Sequence, residues 1–158
     1  MKKFEFTGET KTINLFFRTA TLHRIRAVAE FGLVKIGDLG GWIEKEENLS
    51  HEGKAWVWGN AKVCGDAKVW GNAKVFSASH VLVIGTIGSR DDFTTFFRDK
   101  DNEITVKCGC FLGKIDKFLE KVTQTHGDSK YALVYRAVVE VARLQIDLSG
   151  EAPKDADE

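Results

Sequence analysis

The sequence predicts an α+β fold: a short left-handed parallel β-helix (hexapeptide repeat) after N-terminal strands, followed by a small β-hairpin region and two C-terminal helices. Three observations predict it. Residues 54–77 repeat with a period of six. Residues 81–108 switch to β-rich runs broken by turn residues. Residues 115–145 carry apolar residues at helical spacing on either side of a glycine. With 158 residues the expected organisation is one compact chain of two units, 1–80 and 81–147, and a disordered acidic tail over 148–158 that holds Pro153, the chain's one proline.

Residues 1–36 read as strands and turns. Lys3 to Phe6 alternates, Gly8-Glu9 is a turn candidate, and Thr12 to Arg18 and Leu22 to Ala29 have strand composition. In the last of these, His23, Arg24 and Arg26 imply a half-buried strand with a basic solvent face. Glycines punctuate 37–53, which leads into the repeat.

Written in sixes from Lys54, the repeat reads Lys-Ala-Trp-Val-Trp-Gly, Asn-Ala-Lys-Val-Cys-Gly, Asp-Ala-Lys-Val-Trp-Gly, Asn-Ala-Lys-Val-Phe-Ser. Each side of a β-helix is a very short strand, so every corner needs a residue that tolerates left-handed dihedrals. Gly59, Gly65 and Gly71, followed by Asn60, Asp66 and Asn72, supply it. A narrow coil takes one branched and one small side chain per side. Val57, Val63, Val69 and Val75 and Ala55, Ala61, Ala67 and Ala73 fit that interior, and Lys54, Lys62, Lys68 and Lys74 are expected to point outward. Four hexads make little more than one coil. The degenerate hexads 48–53 and 78–83 would extend it to two or more. A solenoid so short needs caps or oligomerisation. Trp58, Cys64, Trp70 and Phe76 should also face outward, either as a protein–protein interface or as a wall on which a ligand stacks; Trp56 adds a further aromatic.

Val81-Leu82-Val83-Ile84 reads as a buried strand and 85–90 as a loop. Thr94 to Arg98 is expected to pair with Ile104 to Cys108 through the turn 99–102. Ile115, Phe118, Leu119 and Val122 mark one helix face. Tyr131, Val134, Tyr135, Val138, Val141, Ala142 and Gln145 mark another, with Gly127 ending the first helix and Asp128 capping the second.

Lys plus Arg number 23, as do Asp plus Glu, so the net charge is zero. That argues against a nucleic-acid duplex as partner but leaves room for a small anion, which needs only a few placed arginines. No apolar run approaches membrane-spanning length, and Lys-Lys-Phe-Glu-Phe is no secretory leader. The odd count of cysteines, Cys64, Cys108 and Cys110, fits reduced thiols in a cytosol. The expected location is therefore cytoplasmic, with no membrane partner.

The segment 85–98 gathers glycines, hydroxyls, two arginines and three phenylalanines. It reads either as a plain glycine turn leading into a strand or as an anion cradle with a stacking surface. It lacks the Gly-Lys-Ser/Thr of a P-loop. Cys108-Gly109-Cys110 is too tightly spaced for a zinc knuckle and has no second pair; alternation on a strand would turn one thiol to the core. His51 and His80 flank the repeat, as a histidine does in hexapeptide acyltransferases, but the coil is short for an acyl-donor groove. No catalytic set, metal site or cofactor is expected.

Two resemblances follow from these motifs. Leu22-His23-Arg24-Ile25-Arg26-Ala27, the run from Gly37 to Glu44, Asn48 to Gly53 and the Gly-Asn-Ala hexads resemble hexapeptide-repeat proteins common in bacteriophages. Ile87-Gly88-Ser89-Arg90, Thr94-Thr95-Phe96-Phe97, the run Cys108 to Gly113 and His126-Gly127-Asp128 resemble the Thoeris anti-defence sponge family of phages. Members of that family sequester cyclic ADP-ribose isomers without cleaving them, and some bind cyclic oligonucleotides at additional sites. The resemblance implies a homo-oligomer, a dimer or higher such as a trimer of dimers, in the cytoplasm of the infected bacterial host. It implies a ligand site drawn from Gly88, Ser89, Arg90, Phe93, Thr94, Thr95, Phe97, Arg98 and Phe111, with Tyr131, Arg136 and Arg143 closing a pocket from a neighbouring subunit. The alternatives are a phage structural or assembly protein and, less in keeping with the short coil, a hexapeptide acyltransferase.

Overall fold

The computed structural model describes residues 2–149. The expected acidic tail beyond 149 lies outside the described residues. The described residues are α+β, with three sheets and two α-helices.

Strands β1 (Phe4–Asn14) and β2 (Thr19–Ala27) form an antiparallel hairpin. The expected turn at Gly8 is instead a bulge: Gly8 has φ +92°, the register shifts between Phe6 and Thr10, and the strand runs on. The true turn lies at 15–18, where the Leu15 N–H donates to the Arg18 carbonyl at 2.7 Å, inside a stretch that composition alone assigns to strand. Phe16 and Phe17 stand at its tip, both more than nine-tenths exposed.

Strand β3 (Leu39–Ile43) pairs with β2 on one side. The repeat then supplies three very short strands, β4 (Trp56–Val57), β5 (Lys62–Val63) and β6 (Lys74–Val75). Three parallel pairings join successive passes of the chain. Trp42 lies beside Lys62, Leu49 beside Val69 and Trp56 beside Lys74. The passes begin in β3 and run through the degenerate hexad 48–53, so the coiled segment reaches further back than the four clean hexads. Its interior is what the hexad implies: all four repeat alanines and all four repeat valines are buried. Gly53, Gly59, Gly65 and Gly71 have φ between +58° and +70°. Asn48, fully buried, closes a corner by accepting from the N–H groups of Glu44 and Lys45 and donating to the carbonyls of Gly65 and Ala67.

The outward positions are less uniform than expected. Lys62 and Lys68 are exposed, Lys54 is half-buried, and Lys74 is buried beneath the following sheet. Trp56 is fully buried because Phe4 and Phe31 of the N-terminal segment pack edge-on against it. Trp58 stacks on Phe76 at 4.4 Å, Arg98 lies over Phe76 and Lys107 over Trp70. The expected interface stripe is thus covered in part by the chain itself.

Strands β7 (Val81–Ile87), β8 (Asp92–Arg98), β9 (Ile104–Cys108) and β10 (Phe111–Lys114) form an antiparallel sheet in the order β10-β9-β8-β7. The β8–β9 pairing is as expected, while β7 extends through much of the supposed loop and β10 is an added strand. One face of this sheet meets the coil: Val81, Val83 and Phe97 join its cluster, and Thr95 Oγ1 accepts from the Lys68 N–H at 2.9 Å. The other face, with Leu82, Ile84, Phe96, Ile104 and Val106, meets the helices. Two covered faces explain why β7 opens on a continuous apolar run, Val81 to Ile84, rather than an alternating one.

Helix α1 (Ile115–His126) buries Ile115, Phe118 and Val122. Gly127, at φ +56°, ends it by donating to the Thr123 carbonyl. Helix α2 (Lys130–Gln145) has Ser129 rather than Asp128 at its N-cap position, with no capping bond from the side chain, and its buried face is Ala132, Tyr135, Val138, Val139 and Ala142. Tyr131, Val141 and Gln145, expected inward, are exposed. The inward stripe includes alanines, which hydrophobicity alone ranks low, so the sequence-derived face is rotated from the real one.

Candidate functional site

A cleft of about 240 Å³ opens at one end of the second sheet. Three segments meet there. The β7–β8 turn brings Ser89, Arg90 and Asp92, the β9–β10 turn brings Cys108 to Phe111, and α1 brings Phe118, Lys121, Val122, Thr125 and His126. Tyr135 of α2 completes the wall. Strand register explains the meeting. Thr94 pairs with Cys108, and Ile87 with Asp92, so two hairpin turns remote in sequence come to the same side of the helices.

Tyr135 organises the floor. Its ring meets Phe118 edge-on at 5.5 Å and faces the His126 ring at 5.9 Å. The Thr94 hydroxyl donates to Cys108 Sγ at 3.3 Å, and that thiol points to the Tyr135 hydroxyl at 3.9 Å. Burial, followed by the neighbouring Cys108, pushes the phenol up to about 12, so it stays protonated at neutral pH. Gly88, at φ +82°, lies against this hydroxyl, and a Cβ there would collide with it. Arg90 and Lys121 are exposed at the mouth. The site therefore offers aromatic walls with cations at the rim, a form suited to a small anionic ligand that carries a ring.

Of the residues expected at a ligand site, Ser89, Arg90 and Phe111 line this cleft and Gly88 adjoins it through Tyr135. The others lie elsewhere. Phe93 is half-buried against Gly85, and Thr94 is buried and reaches the cleft only through Cys108. Thr95 and Phe97 face the coil, fully committed to the junction. Arg98 is buried, with Nε donating to the Lys74 carbonyl at 3.2 Å. A two-residue alternation sends neighbouring side chains of β8 to opposite faces, so one segment cannot present them all to one ligand. Arg136 staples the turn between the helices, donating to the Gly127 carbonyl and to Thr123 Oγ1. Tyr131 touches His126 at 5.5 Å, and Arg143 pairs with Glu140 beside a separate cleft at Lys114 and Glu103.

Asp92, Lys121, Thr125, His126 and Tyr135 also line the cleft, and none of them stands out from the sequence as a ligand residue. Tyr135 reads as a core position, which it also is, and alternation would set Cys108 and Cys110 on one strand. Cys108 ends β9, while Gly109, at φ +56°, and exposed Cys110 form a hairpin turn. The Cys-Gly-Cys spacing itself is a turn signal. Among the described residues, no helix is long and apolar enough to cross a membrane. Comparison with protein-family models and with curated proteins found no match to this chain.

Proposed function

We propose that this chain is a non-catalytic phage anti-defence protein that binds a cyclic nucleotide-type immune signal, a cyclic ADP-ribose isomer or a cyclic oligonucleotide, and so blocks host antiphage signalling. The observation that carries the reading is the cleft of aromatic Phe111, Phe118 and Tyr135 rimmed by Arg90 and Lys121. Rings stack on a base, and the rim cations bond phosphate oxygens. A sequestering protein gains from ground-state affinity alone and needs no group aligned with a reaction path.

The cleft is smaller than the roughly 300–1,000 Å³ of ordinary ligand pockets. That supports a site completed by a second copy, in an oligomer built from dimers inside the infected host's cytoplasm. The coil belongs to the same reading. The three parallel pairings, the six-residue spacing of positive-φ glycines and the Ala/Val interior support two coils of a left-handed parallel β-helix that organises the subunits.

Isothermal titration calorimetry against cyclic ADP-ribose isomers and cyclic di- and trinucleotides tests the proposal. Binding is expected, with intact ligand recovered after heat release. Lack of binding to all of them sinks the proposal, and recovery of a cleaved product would make the protein an enzyme.

A further inference from the structure

The outer face of the N-terminal sheet gathers donors around one indole. Trp42 pairs with Arg24 across the antiparallel β2–β3 contact and with Lys62 across the parallel β3–β5 contact. Direct cross-strand partners share a face, so both cations flank the ring. Lys11, from β1, places its ammonium 4.0 Å from the ring centroid, and the Arg24 guanidinium carbon lies 5.6 Å from it. The indole N–H is buried and has no acceptor.

The carboxylates near this cluster do not balance it. Glu9 approaches Arg24 at 3.8 Å and is more than half exposed. Among the described residues, neither Lys11 nor Lys62 forms an ion pair. Burial, then the like charges of Lys62 and Arg24, hold the Lys11 ammonium below its usual range. Lys11, Arg24 and Lys62 are donors whose charge Glu9 offsets only in part, so the complementary ligand is rich in acceptors and negatively charged. A phosphate meets that description, since its ionised oxygens accept from several N–H groups at once.

We propose that Lys11, Arg24 and Lys62 form an oxyanion site over Trp42, specific for a phosphate group and separate from the cleft at Tyr135. The site draws one residue from each of β1, β2 and β5, with Trp42 of β3 as its base. It exists only because the first parallel rung of the coil lies beside the N-terminal hairpin.

The test follows the indole ¹H–¹⁵N cross-peaks of the labelled full-length chain, with Trp42 assigned through Trp42→Phe. Sodium phosphate is titrated against sodium chloride at matched ionic strength. The Trp42 signal is expected to shift saturably with phosphate and not with chloride. Lys11→Gln and Lys62→Gln should each weaken the phosphate response about five- to tenfold, while Lys68→Gln, an exposed lysine elsewhere on the repeat, leaves it intact. Adenosine 5′-monophosphate then separates the sources: tighter binding than inorganic phosphate assigns the site to a nucleotide's phosphate, and equal binding to the free ion. A non-saturating shift equal in both salts, or wild-type phosphate response in both glutamine variants, overturns the assignment.

Discussion

Glu44 ties the N-terminal hairpin to the coil, and its titration should be visible in the stability of the whole chain. Its carboxylate accepts from Nη1 and Nη2 of Arg18, at 2.7 and 2.9 Å, and from the Gly65 backbone N–H at 2.7 Å. Gly65 is a coil corner at φ +64°, so one side chain clamps the hairpin turn, β3 and the second pass of the repeat. The Arg18 hydrogen bond, reinforced by the Gly65 N–H and the Arg18 charge against an opposing cost of burial, lowers the carboxyl from 4.5 to about 2. At about 1.4 kcal/mol per pKa unit, the ceiling on this linkage is roughly 3 kcal/mol. Arg18 is nearly half exposed, so water screens the pair, and about 1–2 kcal/mol is the expected size. The folded-state pKa is depressed, so this stability is fully present above pH 4.5 and is lost as pH falls toward 2. Glu44→Gln should cost that amount at pH 7. Urea unfolding of both proteins from pH 7 to pH 2 should show the gap closing between pH 4.5 and 2. Other paired carboxylates, such as Glu5 and Asp101, titrate in both proteins and cancel in the comparison. A gap that stays constant over this range would refute the linkage.

Other expectations are direct. Arg90→Ala should weaken the proposed ligand by about 1.5–3 kcal/mol in calorimetry if its guanidinium bonds a phosphate, and unchanged affinity removes it from the site. Phe97→Ala should destabilise the chain by about 3–5 kcal/mol in urea melts, because its ring is fully buried against the coil; a loss under 1 kcal/mol would show the junction to be loose. Gly53→Ala should cost more than Gly59→Ala in thermal unfolding. Both need a left-handed residue, worth about 1–2 kcal/mol, but a Cβ on Gly53 would also press on the Gly71 carbonyl at 2.8 Å while one on Gly59 meets open space. Gly88→Ala should displace Tyr135 and perturb the cleft, read as a shift in the Tyr135 ring signals by NMR.

The repeat was legible because its constraints are local. A six-residue period, a glycine at each corner and a pairing of small and branched residues at two fixed positions leave few ways to fold, and the buried Ala and Val positions match that pattern one for one. The ends of the helices were legible for the same reason at Gly127, whose dihedral serves as a helix stop. The cleft was only partly legible. Ser89, Arg90 and Phe111 stood out through their residue types, whereas Phe97 and Thr95 did not reveal that they point to the coil. Tyr135 and His126 join the site through helix packing, which leaves no mark in their own segments.

By itself, then, the sequence determined the mixed α+β class, the coil's inward residues and the presence of two helices, because dihedral preference and side-chain volume act within a few residues of one another. Tertiary structure alone decided what covers the coil's aromatic side chains, which face of β8 each residue serves, and where cations gather. Trp56 and Trp42 make the difference plain. Both are tryptophans beside parallel rungs, yet one is sealed by Phe4 and Phe31, and the other lies under Lys11 and beside Arg24. Strand register, fixed only when distant segments pair, separates the two.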